Sequence, residues 1–85
     1  AINGIDGVIT LDGVKKTTQI KIIYDTQITD DGIKVLSNSV AKKYPVDWMI
    51  FINDKTDEVF IFDNKPTIED DNYVFNNELL LHHIK

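Results

Sequence analysis

Two short apolar runs face each other across residues 46–63, VDWMIFINDKTDEVFIFD, and they constrain this chain more than any other stretch. Trp48 to Ile52 are five consecutive large apolar residues, and Val59 to Phe62 are four more. Both runs are rich in β-branched and aromatic side chains, and Asn53, Asp54, Lys55, Thr56 and Asp57 make a polar turn between them. That pattern predicts a β-hairpin. Neighbouring strand residues point to opposite faces. An even-length turn puts Trp48, Ile50, Ile52, Val59 and Ile61 on one face and Met49, Phe51, Phe60 and Phe62 on the other, and a bulged odd-length turn would swap the faces of the second strand but leave both apolar. A strand buried on one side alternates apolar and polar residues, and these do not, so both faces are expected to be covered. Burying four such side chains is worth roughly 6–12 kcal/mol, comparable with the whole net stability of a domain of this length, about 4–13 kcal/mol.

Length and composition narrow the class. The 85 residues suit one small α+β domain spanning 1–85, and 42% hydrophobic with 27% charged residues is a globular balance. No apolar run approaches the length of a membrane span, and AINGIDGVIT shows no signal-peptide pattern. Cysteine is absent, which excludes disulfides and thiol chemistry and agrees with a cytoplasmic setting. The net charge of −5 is uneven: residues 1–45 carry six Lys and five acids, residues 46–85 three Lys and nine acids. All nine basic residues are Lys. Arg reads phosphate and guanine with paired hydrogen bonds, so an acidic, Arg-free chain is a poor direct binder of nucleic acid.

Asp12-Gly13 predicts a two-residue turn pairing Val8–Leu11 with Val14–Thr17, and the second arm continues through Ile20 and Ile22 to Tyr24. Asp6-Gly7 reads as a turn or bulge at the strand's entry. A helix is expected over 29–44. Thr29 is its N-cap, Asp30 and Asp31 lie in its first turn, and Ile33, Leu36, Val40 and Tyr44 form an apolar stripe. Pro45 ends it. This helix is the expected cover for one face of the hairpin. Residues 67–72 read as a loop or single helical turn. Residues 73–84 read as strand in preference to helix, and this tail is the expected cover for the second face.

The resulting β-β-α-β-β order, with an extra C-terminal strand, resembles β-grasp domains. The stretch 30–63, a capped helix leading into a Trp-containing hairpin with an Asp-Lys-Thr turn, is similar in layout to the immunoglobulin-binding domains of streptococcal protein G. The likeness covers under half the chain, and antibody binding is not carried over from it. A meandering antiparallel sheet of four to five strands with one helix across it fits nearly as well.

No catalytic, cofactor or metal motif is visible. His82 and His83 are adjacent and would point to opposite strand faces. The acidic turns lack the glycine and distal glutamate of an EF-hand loop. The four glycines make no phosphate loop, and Ser37 and Ser39 sit in no nucleophile motif. The expected function is therefore a non-enzymatic protein-binding domain of inhibitor, immunity or adaptor type, without a cofactor. Asp54, Asp57, Glu58, Asp63, Glu69, Asp70 and Asp71 are its expected contacts to a basic or nucleic-acid-binding partner protein. The alternative is an assembly subunit, such as a homodimer, that self-associates through its sheet.

Overall fold

A computed structural model describes residues 5–37 and 46–85. Nine strands occupy them: β1 (Gly7–Leu11), β2 (Val14–Ile23), β3 (Ile28–Thr29), β4 (Gly32–Leu36), β5 (Trp48–Asn53), β6 (Val59–Asp63), β7 (Thr67–Glu69), β8 (Asn72–Asn76) and β9 (Leu80–Ile84). They form a five-stranded sheet in the order β1-β2-β5-β6-β9 and a four-stranded sheet in the order β3-β4-β8-β7. Among the described residues every strand pairing is antiparallel except β2 with β5.

The α+β expectation is therefore corrected: the described residues contain no α-helix and no helix packed across a sheet. The stretch expected to open a helix is a hairpin instead. Thr29 Oγ1 donates to the Gly32 carbonyl at 3.1 Å and accepts from the Asp31 N–H at 3.3 Å, closing a Thr-Asp-Asp-Gly turn. Beyond it Ile33 and Val35 point into the core while Lys34 and Leu36 are exposed, a period of two and not of 3.6. Residues 38–44 of the expected helix lie outside the described residues. The 67–72 stretch is likewise not a loop alone, since Thr67–Glu69 pairs with β8.

The central hairpin has the expected register. Phe51 pairs with Phe60, Met49 with Phe62 and Ile50 with Ile61. Its Met49–Phe62 face meets the smaller sheet. Ile23, Met49, Phe51, Phe60 and Phe62 from one sheet pack with Ile33, Val35, Tyr73 and Phe75 from the other, in one hydrophobic cluster. The cover for this face is thus β4 and β8 rather than a helix. The 73–84 tail is strand, as favoured, but it divides. β8 joins the smaller sheet, and β9 extends the edge of the larger one after a short 3₁₀ turn at Asn77–Leu79.

Polar contacts set the register of the parallel pair. The Thr17 N–H donates to Asp47 Oδ2 at 2.9 Å, and the Asp47 N–H lies 3.0 Å from Thr17 Oγ1 and 3.1 Å from the Thr17 carbonyl. At the far end Asn53 is buried. Its Nδ2 donates to Asp25 Oδ1 and its Oδ1 accepts from the Lys55 N–H, both at 2.9 Å. A buried amide needs such partners, because burying it without hydrogen bonds costs stability.

Candidate functional site

The larger sheet presents its second face away from the smaller one. The register places Ile20 and Ile22 of β2 beside Ile50 and Ile52 of β5, and these beside Val59 and Ile61 of β6. Trp48 and Ile84 extend the same surface at its corners. Its centre is close-packed, with Ile50 and Ile61 each 9% exposed, while Ile20, Ile22 and Ile84 at its flanks are 45%, 46% and 56% exposed. Ile50 and Ile61 are buried yet stand outside the hydrophobic cluster between the sheets. Strands buried on one side carry a polar outer face. This face is apolar across β2, β5 and β6 and is continued on β9 by Ile84.

The seven acidic residues do not form one patch. Asp54, Asp57 and Glu58 lie in the β5–β6 turn, and Asp63 ends β6 at the opposite end of that strand. A five-residue strand separates these positions by roughly 16 Å. Both ends of the central hairpin are therefore acidic, with the apolar face between them. Glu69 ends β7 of the other sheet, and Asp70 and Asp71 form the β7–β8 turn. Several are already paired: Asp63 with Lys65 at 3.7 Å, Glu69 with Lys34 at 4.0 Å and Glu58 with His83. Asp57, Asp70 and Asp71 adopt positive φ, so these three shape their turns.

The Glu58–His83 contact is one that sequence reasoning missed. Strand β9 lies beside β6 with His83 opposite Phe60, so the imidazole stacks on the Phe60 ring at 4.3 Å and its Nε2 lies 2.7 Å from Glu58 Oε2. The only sequence signal was the β6–β9 pairing, which no local pattern announces. The hydrogen bond from His83, helped by the Thr56 hydroxyl, holds the Glu58 carboxyl below the usual glutamate range. A depressed carboxylate contributes stability above its ordinary pKa and loses it as pH falls through the lowered value. Glu58→Gln is thus expected to lower the melting temperature at about pH 5–6, with the difference from wild type shrinking towards about pH 3. Thermal melts across that range check this, and a difference constant with pH would contradict it.

His82 lies on the apolar face, opposite Ile61. Among the described residues no three His, Asp or Glu gather in a way that could hold a metal ion. Among them no helix is long and apolar enough to cross a membrane. Comparisons with protein-family models, with curated proteins and with solved structures each give no match.

Proposed function

We propose that this chain is a small, acidic, non-enzymatic protein-binding domain that docks through the outer face of its five-stranded sheet. One observation carries the reading: that face is apolar across β2, β5 and β6, reaches Ile84 beside His82 on β9, and its flanking isoleucines stand about half open. Contiguous exposed apolar patches mark interaction surfaces in soluble proteins. Completing the burial of Ile20, Ile22 and Ile84 would contribute roughly 2–4 kcal/mol, since a full burial is worth about 1.5–3 kcal/mol per side chain. The acidic ends of the central hairpin and the net charge of −5 favour a partner protein whose own apolar surface is bordered by Lys or Arg. An inhibitor, immunity or adaptor role in the cytoplasm is consistent with the size, the acidic balance and the absence of cysteine.

The test compares the full chain with an Ile20→Ser/Ile22→Ser variant in capture from extracts of the source cell, followed by binding kinetics on the captured protein. Both side chains are about half exposed, so the variant is expected to fold. Binding is expected to weaken by tenfold or more in the variant, at about 1.4 kcal/mol per tenfold. The wild-type association rate is expected to fall with salt. Unchanged affinity in the variant would overturn the face as the docking surface. A salt-independent rate would remove the acidic turns from the account.

A further inference from the structure

We infer that β1 is a self-pairing edge, through which two copies of this chain join their five-stranded sheets about a twofold axis at Ile9. This goes beyond the docking role and holds whether or not the outer face takes a partner.

Sheet edges invite pairing with other chains, and proteins block them with charges, prolines, bulges or very short strands. Among the described strands, three of the four sheet edges carry such a device. β3 has only two residues. β7 has three, follows Pro66 and contains Glu69. β9 is bulged against β6, carries His82 and His83 and is followed by Lys85. β1 is the exception. Its five residues, Gly-Val-Ile-Thr-Leu, hold no charge and no proline. Among the described strands only β2 pairs with it. Val8, its second residue, is 56% exposed.

The backbone pattern decides which groups are available. The Thr17 carbonyl of β2 accepts from the Asp47 N–H, so odd-numbered residues of β2 turn their backbone groups towards β5. The Thr18 carbonyl and the Ile20 N–H bond instead to Asp6, on the β1 side. Lys16 and Val14 therefore exchange hydrogen bonds with Ile9 and Leu11, and Val8 and Thr10 point theirs outward. One antiparallel register uses all of these outward groups. Val8 sits opposite the partner copy's Thr10, and Thr10 opposite its Val8, giving four backbone hydrogen bonds. Ile9 then faces its own counterpart, and Leu11 lies across from Gly7, which has no side chain to obstruct it. Because the contact is isologous, it closes at two copies and leaves the protected β9 edges at the ends. A single strand pair is small beside stable interfaces, so the dimer is weak and forms with rising concentration.

The absence of cysteine makes the register directly testable. In this pairing the two Ile9 Cα atoms would stand about 4.5 Å apart, within the span a disulfide bridges. The two Leu11 positions would be about 13 Å apart along the strands. Ile9→Cys is expected to form a disulfide-linked dimer, with oxidised glutathione accepting the electrons and protons of the two thiols, at least about tenfold faster than Leu11→Cys. In parallel, sedimentation of the wild-type chain is expected to show a monomer–dimer equilibrium that Thr10→Pro abolishes. That change removes only an outward N–H and leaves the ladder to β2 intact. Equal linking rates at the two positions, a wild-type chain monomeric at every concentration, or undiminished association of Thr10→Pro would each overturn the pairing.

Discussion

Phe51→Ala is expected to lower the unfolding free energy by about 3–5 kcal/mol. Phe51 is fully buried at the centre of the larger sheet. Its ring meets Phe62 edge-on at 5.8 Å and Phe75 at 5.0 Å, and a Phe62–Phe75 contact at 5.7 Å closes the triangle. Phe51 and Phe62 belong to one sheet and Phe75 to the other, so the three rings join the two layers. Removing one ring leaves a cavity that neither sheet can fill without abandoning its register. Against a net stability of about 4–13 kcal/mol, the loss ranges from about a quarter of the total to all of it. Urea unfolding reads it as a lower midpoint with an unchanged slope. A shift equivalent to under about 1 kcal/mol would mean that Phe51 does not join the layers, because that is the scale of surface substitutions.

A loss of similar size is expected from Gly32→Ala, for a different reason. Gly32 has φ 150°, and a Cβ built there would lie 2.0 Å from the Phe75 carbonyl oxygen and 2.9 Å from its carbon. Both obstacles are backbone of β8, which pairs with β4. They cannot rotate aside as a side chain would. Either β4 lifts away from β8 or the pairing slips, and a slip of one residue would turn Ile33 and Val35 out of the core. The expected cost is about 3 kcal/mol or more. Gly13→Ala supplies the contrast. Gly13 has φ 79° with nothing within 4 Å, so only the left-handed backbone is penalised, at about 1–2 kcal/mol. Melting curves of the two variants separate collision from strain. Equal effects would remove the close approach of β4 to β8 from the account.

The two hairpins of the larger sheet were legible because short-range chemistry specifies them. Asp12-Gly13 supplies two positive-φ residues, at 52° and 79°, and the apolar runs flanking Asn53–Asp57 announced the second hairpin, while the faces of its second strand depended on the parity of the turn. The β4 strand was misread because Thr29-Asp30-Asp31 carries the same side chains whether it caps a helix or closes a turn. Ile33 and Val35 are too few to separate a period of two from one of 3.6, and the expected stripe leaned on Leu36, which is exposed. Other features depend on distant pairing. The parallel match of β2 with β5, the assignment of β8 and β9 to different sheets, and the meeting of Glu58 with His83 all join residues far apart in the chain. The apolar character of both hairpin faces was visible from the start. Which face would be buried by the chain itself was not, because that depends on where the second sheet packs.

Solvent access to the isoleucine methyl groups tests the two-layer arrangement and its outward apolar face together. In methyl-labelled protein, a soluble paramagnetic agent is expected to relax Ile20 and Ile22 strongly and to spare Ile23 and Ile33, which are 0% and 2% exposed. Ile22 and Ile23 are neighbours in one strand, so the contrast between them reports directly on which face lies inward. Protection of Ile20 and Ile22 equal to that of Ile23, or relaxation of all four alike, would contradict the account.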